Sequence, residues 1–263
     1  TKMILPGATL GLLGGGQLGR MFVAAARSMG YHVIVLDPDA QAPAEHFADE
    51  HICADFRHAV ALKKLAASCD AITTEFENAP ADSLIELAKH CVVRPRGESV
   101  AVAQDRITEK TFLRDHGFAV GSFSLIRNQE DIRNSLNIIT FPSLLKTSRL
   151  GYDGKGQARI DTIEQLSETH RQWNHVPCVL EKFLPLKCEV SVVLARGADG
   201  SVAPFPVAEN QHVNGILDIS IAPARVSDAI KQQATDAATR LAQALDYVGV
   251  LAVEFFVLHD DTL

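Results

Sequence analysis

No stretch of this 263-residue chain approaches the roughly 20 consecutive apolar residues that a membrane-spanning helix needs. Positive charge is also in short supply. Lys and Arg number 25 against 32 Asp and Glu, a net charge of −7, which argues against general binding to the phosphate backbone of nucleic acids. Cysteine is sparse: Cys53, Cys69, Cys91, Cys178 and Cys188 are an odd number and never form a C-x-x-C pair. They read as reduced, mostly buried thiols of a cytoplasmic protein rather than a disulfide framework or zinc site. Residues 1–13 run straight into a glycine loop without the small-residue cleavage site of a secretory leader. Internal repeats and low-complexity segments are missing too. What remains is an ordinary globular composition, 47% hydrophobic and 22% charged, long enough for one large domain or a few smaller lobes. With so acidic a surface, any phosphate must be met by a local cluster of Lys, Arg and backbone N–H groups.

The first hundred residues alternate strand and helix. Strands are expected at 9–13, 33–36, 52–54, 71–74 and 92–93, and helices at 17–29, 60–68 and 82–90. Short connections between them predict a parallel sheet covered on both faces. A boundary follows Arg94-Pro95-Arg96-Gly97, and 105–117 reads as a helix stopped by glycine. The pattern then changes to strands at 143–146 and 157–160 around a glycine-rich loop, within a small lobe of about residues 118–178. Segments 179–181, 189–195 and 202–207 suggest an antiparallel sheet after that lobe. An amphipathic helix at 227–247 is capped by Ser227 and carries Ile230, Ala234, Ala237, Leu241 and Leu245 on one face. A strand at 250–258 and a turn at 259–261 follow, and the sequence stops at Leu263 where a return strand is expected.

Gly14-x-Gly16-x-x-Gly19 follows a strand and opens a helix, and Asp37 closes the next strand. Those are the parts of a dinucleotide fingerprint, in which glycines admit a pyrophosphate and the acid takes a ribose hydroxyl. An NAD-dependent oxidoreductase is therefore one reading. A tight turn that binds no nucleotide is another.

A second loop competes with it. Lys146 stands near the end of a strand, five residues before Gly151-Tyr152-Asp153-Gly154-Lys155-Gly156-Gln157. Three glycines in six residues are costly to order, so the loop is expected to be mobile until a ligand fixes it. Its N–H groups and Lys155 can then close over phosphate oxygens, while Lys146 meets them from the strand. A plain hairpin turn is the alternative. Glu181, Lys182, Phe183 and Leu184 lie where a strand runs out into a connection, suited to reading an adenine edge, and Glu189 is placed to accept from ribose hydroxyls. An ordinary strand and a surface acid explain them as well. Glu254 sits in the apolar run Leu251-Ala252-Val253-Glu254-Phe255-Phe256. A buried carboxylate needs a partner, which is Mg²⁺ or a basic side chain.

In order, these pieces resemble one family. Gly-Gly-Gly-Gln-Leu-Gly-Arg at 14–20, Asp37 and Thr-Glu-Phe-Glu-Asn at 74–78 resemble the N-terminal domain of the carboxyaminoimidazole ribonucleotide synthetases. Asp105-Arg106-x-x-x-Lys110, Lys146, the 151–157 loop, Glu181, Glu-Val-Ser at 189–191, Asn-x-His at 210–212 and Val-Glu-Phe-Phe at 253–256 resemble its ATP-grasp core. The resemblance implies an α/β and α+β chain with a Rossmann-like pre-ATP-grasp domain at 1–104. An ATP-grasp domain with a mobile lid lobe would occupy 105–263. It implies that Arg106, Lys146, residues 151–157, residues 181–184, Glu189 and His212 hold ATP. Catalytic roles fall to Asp153, Lys146 and Lys155, and Glu254 binds Mg²⁺, with Mn²⁺ as a substitute. Gln17, Leu18, Glu75 and Asp153 would face aminoimidazole ribonucleotide, with Glu75 preferred to Glu77. Bicarbonate is the other substrate, a homodimer in the cytoplasm the expected form, and de novo purine biosynthesis the pathway.

The sequence departs from the family at its end. Members continue with a second metal carboxylate in an Asn-Glu pair, basic residues for phosphate and a small C-terminal domain. If this sequence is the entire polypeptide, weak ATP binding and little or no turnover are expected. A formate-dependent glycinamide ribonucleotide transformylase is a related alternative, although such enzymes usually carry Glu-Leu-Gly where this chain has Gln17-Leu18-Gly19.

Overall fold

The computed structural model describes residues 3–151, 155–213 and 215–263. The chain divides into two units. One is Thr1–Ala101 with short returns at Gly197–Asp199 and Asp246–Gly249; the other holds the remainder.

The first unit contains β1 (Thr9–Leu13), α1 (Gln17–Ser28), β2 (His32–Asp37), β3 (Glu50–Cys53), α2 (Ala59–Ser68), β4 (Ala71–Thr74), α3 (Ala81–Leu87), β5 (Val92–Val93) and α4 (Gly97–Ala103). Its strands pair in parallel in the order β3-β2-β1-β4-β5. The side chains alternate across the sheet. Leu12 packs with Val23, Ala26, Val33 and Val35 on the α1 face, while Leu13 joins Leu36, Leu65, Ile72 and Leu84 on the α2–α3 face. Each such fully buried side chain contributes about 1.5–3 kcal/mol, which is why both faces must be covered. Chain order reverses at β1, with β2 and β3 to one side and β4 and β5 to the other. The carboxyl ends of β1 and β4 therefore flank the switch point where such sheets gather functional loops.

The second unit begins with α5 (Arg106–Asp115). A four-stranded sheet follows, made of β6 (Phe123–Ile126), β7 (Ser143–Thr147), β8 (Gln157–Ile160) and β9 (Cys178–Lys182) in the antiparallel order β6-β9-β7-β8. Helices α6 (Gln129–Ser135) and α7 (Ile163–Gln172) bury Ile132 and Leu166 against Ile126, Leu145, Ile160 and Leu180. Residues 179–181, expected to start the later sheet, instead form the centre of this one. The unbroken buried run Cys178–Glu181 is the pattern of a strand flanked on both edges.

A second sheet has the order β11-β10-β12-β13, with β14 also paired to β10. Its strands are β10 (Leu186–Arg196), β11 (Val202–Pro204), β12 (Ala208–Val213), β13 (Ile216–Ile221) and β14 (Gly249–Leu258). Between β13 and β14 runs α8 (Asp228–Ala244), whose start is capped by Ser227 Oγ accepting from the Ile230 amide at 3.3 Å. Its buried stripe is Ile230, Ala234, Ala238 and Ala242. The stripe keeps to i, i+4 spacing, so Ala237 and Leu241 flank it rather than form it. All five cysteines are free; Cys69 and Cys178 are buried and Cys53 is exposed. No helix among the described residues is long and apolar enough to cross a membrane.

Candidate functional site

The first glycine loop joins β1 to α1 at the switch point. Gly14 adopts φ +98° and donates its amide to the Leu36 carbonyl at 3.0 Å. The Gly15 amide donates to Asp37 Oδ2 at 2.7 Å. The next two donors converge on one side chain: Gly16 N–H reaches Glu75 Oε1 at 2.8 Å and Gly19 N–H reaches Glu75 Oε2 at 2.6 Å. The anion at the N-terminus of α1 is thus the protein's own carboxylate, brought in from the end of β4. Its approach explains the glycines. A Cβ on Gly14 would lie 2.5 Å from Glu75 Cγ, and one on Gly16 would lie 2.6 Å from Glu75 Oε1. On Gly19 it would meet the Gly14 carbonyl at 2.8 Å.

The glycine amides that a dinucleotide pyrophosphate would use are engaged within the protein, which disfavours the oxidoreductase reading. Asp37, read as a ribose ligand, is spent on the Gly15 and Asp39 amides. Gln17 and Leu18 stand exposed between the two anchored glycines, Leu18 at 62%. Glu77 is exposed and accepts from Asn78 Nδ2 at 3.2 Å, so Glu75 is the acid that joins the loop.

In the second unit, α5 pins the start of the other glycine loop. Asp105 Oδ1 caps the helix by accepting from the Ile107 and Thr108 amides, while its Oδ2 accepts from Arg149 Nε at 2.9 Å. The Arg106 amide donates to the Ser148 carbonyl at 2.8 Å, and its Nη2 donates to the Gly151 carbonyl at 3.3 Å. At the loop's far end the Thr147 amide donates to the Gly156 carbonyl at 2.8 Å, and Gln157 faces Lys146 across the β7–β8 ladder. Lys155 is exposed. Tyr152, Asp153 and Gly154 lie outside the described residues.

Behind this loop is a buried cluster of charge. Glu181 on β9 is 7% exposed; its Oε2 accepts from Lys146 Nζ at 2.9 Å, and Lys110 Nζ stands 3.5 Å from its Oε1. Burial pushes the Glu181 carboxyl upward, but Lys146 and Lys110 outweigh it and hold the group below the usual carboxylate value. Neighbouring Glu109 goes the other way: burial raises its carboxyl despite Lys110 and Arg106 beside it. At the end of β9 the Lys182 amide donates to the Ser122 carbonyl and the Phe183 amide to the Pro142 carbonyl. Phe183 is partly exposed, and the Arg159 guanidinium lies 5.0 Å from its ring centroid.

Nearby, His212 Nδ1 on β12 lies 3.2 Å from Glu189 Oε2 on β10. Burial raises the Glu189 carboxyl, His212 pulls it back, the Glu254 charge raises it further and Lys146 lowers it. Residues from β7, β10, β12 and β14 therefore share one electrostatic neighbourhood. Glu254 itself corrects an expectation, because it is exposed rather than buried. Along β14 burial alternates, with Val250, Ala252, Glu254 and Phe256 on the open face and Leu251, Val253 and Phe255 half-buried. The apolar run is two-sided, and Glu254 needs no internal counter-ion. Among the described residues no group of three or more His, Cys, Asp or Glu side chains is arranged to hold a metal ion.

Sequence reading quoted Lys110 within a motif but gave it no role, and it missed Glu109 and the Asp105–Arg149 pair. The role of Lys110 had a visible signal, since Arg106 and Lys110 are one helical turn apart and share a face. The last links residues 44 apart and had none.

The ribonucleotide synthetase preATP-grasp domain family matches residues 7–104, and the ATP-grasp domain family matches residues 111–263. The chain is 44% identical to the N5-carboxyaminoimidazole ribonucleotide synthase of Brucella melitensis biotype 1 over 260 residues, 98% of this chain and 72% of that protein. It is similar to the crystal structure of N5-carboxyaminoimidazole synthetase from Staphylococcus aureus complexed with ADP. The TM-score is 0.94 at 36% identity, over 100% of this chain and 70% of that one. The Aspergillus clavatus N5-carboxyaminoimidazole synthase, in complex with ADP and 5-aminoimidazole ribonucleotide, gives a TM-score of 0.87 at 30% identity, over 97% and 67% of the two chains.

Proposed function

The chain belongs to the N5-carboxyaminoimidazole ribonucleotide synthase family of ATP-grasp ligases, and from that premise we propose how its residues divide the work of carboxylating 5-aminoimidazole ribonucleotide with ATP. The domain over residues 1–104 holds the aminoimidazole ribonucleotide and the domain over 105–263 holds the nucleotide. Bicarbonate supplies the carbon. ATP transfers its terminal phosphoryl group to bicarbonate, giving carboxyphosphate. The exocyclic amine of the second substrate, or carbon dioxide released beside it, then yields the carbamate, with ADP and phosphate leaving. The reaction takes place in de novo purine biosynthesis in the cytoplasm, and the protein works as a homodimer.

One observation carries the nucleotide assignment. Arg106, Lys110 and Lys146 gather around Glu181 and Glu109 at the foot of a glycine-rich loop, leaving positive charge in surplus where a triphosphate needs it. Lys146 faces the phosphates from β7, and residues 151–157 cover them with backbone N–H groups and Lys155. The Lys182 and Phe183 amides are already engaged within the protein, so the adenine edge is left to the remaining backbone groups of 181–184. Glu189 and His212 take the ribose.

A divalent cation also fits. The exposed Glu254 carboxylate offers a hard oxygen donor of the kind that suits Mg²⁺, or Mn²⁺ in its place. Glu254 would hold the ion together with phosphate oxygens, and when bound the ion supplies neutralising charge to the triphosphate. The protein's own task is positioning, neutralising charge and keeping water from an intermediate that hydrolyses readily. Gln17, Leu18, Glu75 and Asp153 are the residues assigned to the aminoimidazole ribonucleotide.

The test is ADP release by the purified product of the full reading frame with each substrate omitted in turn. Release that requires both bicarbonate and aminoimidazole ribonucleotide is expected, and release indifferent to the latter would overturn the assignment. Asp153→Ala should raise the KM for the ribonucleotide more than that for ATP.

A further inference from the structure

Lys110 belongs to the charge cluster at the nucleotide site but has been given no task of its own. The Glu181 carboxylate is shared by two ammonium groups from separate elements, Lys146 on β7 at hydrogen-bond distance and Lys110 on α5 at 3.5 Å. The side chains of Lys110, Lys146 and Glu181 are 19%, 14% and 9% exposed, so water satisfies none of them fully. Glu181 Oε1, the oxygen facing Lys110, is buried and makes no hydrogen bond. The pairing is therefore asymmetric, with one oxygen satisfied and the other with a cation just beyond reach.

We infer that Lys110 is a positioning residue for ATP binding, a standby counter-ion that takes over Glu181 when Lys146 turns to a phosphate oxygen. This rests on the reading that Lys146 meets ATP. Lys146 can leave Glu181 at little penalty only if the carboxylate is not stranded, because a buried carboxylate without a partner is strongly unfavourable. Lys110 needs to close a gap of a few tenths of an ångström to prevent that. Arg106 is the weaker candidate, because its Nη2 donates to the Gly151 carbonyl at 3.3 Å and its charge acts on Glu181 less than either lysine's.

The inference is testable by calorimetric titration of Mg-ATP into the chain. Lys110→Met should weaken ATP binding by about tenfold, the scale of coupling between charges in one network. Lys110→Arg should restore most of it, and neither change should alter affinity for aminoimidazole ribonucleotide. The decisive comparison uses Glu181→Gln, which removes the charge that needs a partner. In that background Lys110→Met should leave ATP affinity unchanged, a result that a purely structural role for Lys110 does not give. It also keeps the test alive if Lys110→Met alone fails to fold. Loss of ATP affinity on Lys110→Met with or without Glu181→Gln overturns the inference, as does wild-type affinity in Lys110→Met when Lys146→Met binds weakly. If Lys146→Met itself binds ATP normally, the reading of Lys146 is wrong and the inference goes with it.

Discussion

Glu75 Oε2 accepts a hydrogen bond of 2.6 Å from the backbone amide of Gly19, a residue 56 positions earlier in the chain. With Oε1 on the Gly16 amide, this one carboxylate satisfies two of the unpaired donors that open α1 and meets the positive end of the helix dipole. A loop built on a dinucleotide-binding pattern is closed from within.

Removing that side chain should therefore be felt in stability. Glu75→Ala is expected to lower unfolding free energy by about 2 kcal/mol, as charge-assisted hydrogen bonds to a helix start are lost. Urea denaturation with an unchanged slope would measure it. A midpoint equal to the parent's would mean that water replaces the carboxylate without penalty. Gly14→Ala should be worse than Glu75→Ala, because it combines a φ of +98° with a Cβ 2.5 Å from Glu75 Cγ.

The same closure predicts a ligand preference. Mg-ATP should raise the melting temperature in a saturable way, by the equivalent of about 2.7 kcal/mol at a hundred times its Kd. NAD at the same concentrations should not move it. Stabilisation by NAD alone would reverse the reading of both glycine loops.

Glu109 makes a pH prediction. Burial holds its folded-state carboxyl above the ordinary value of 4.5, so the folded protein binds that proton more tightly than the unfolded chain. Ionising it opposes folding; the penalty grows as pH rises from about the ordinary carboxylate value and is full above the raised one. Glu109→Gln should therefore raise the melting temperature at pH 7 to 8, and the gain should fade toward pH 4. A gain that is the same at both ends would show that ionisation is not its source.

Glu209 should behave in the opposite sense. It is 8% exposed and its two oxygens accept from the Arg225 guanidinium at 2.6 and 3.1 Å. Hydrogen bonding from Arg225 outweighs burial and holds its carboxyl below the usual value. The pair's contribution is present above the unfolded-state pKa and is lost as pH falls through the lowered folded one. Glu209→Gln should lower the melting temperature at neutral pH and converge on the parent in acid. Arg225→Lys should recover only part of the loss, since an ammonium cannot supply the two-pronged contact.

How much of this was legible depended on distance along the chain. The parallel character of the first sheet, the turn at Gly14 and the Ser227 cap followed from local pattern: short apolar runs, glycines and a capping side chain before a periodic segment. What needed three dimensions was misread. The loop amides looked available for a ligand because nothing nearby in sequence announces that Glu75 reaches them. Glu254 looked buried because apolar neighbours surround it, yet β14 alternates between a half-buried and an open face. Segment 179–181 looked like the start of a new sheet because its pairing partners, β6 and β7, lie far upstream in the chain. The strands β6, β12 and β13 and the helices α6 and α7 were not anticipated. Their sequences are short and mixed, and tertiary packing rather than local preference decides them.

The helix α5 ties its start to Arg149 through Asp105 and presents Lys110 to Glu181 one turn later. Each residue added to an α-helix turns everything beyond it by about 100°. A single insertion between Asp105 and Lys110 would thus leave the Arg149 tether intact while swinging the lysine off its carboxylate. Spacing in this short stretch is accordingly as constrained as composition, and drift in its length would be tolerated less than most changes of residue.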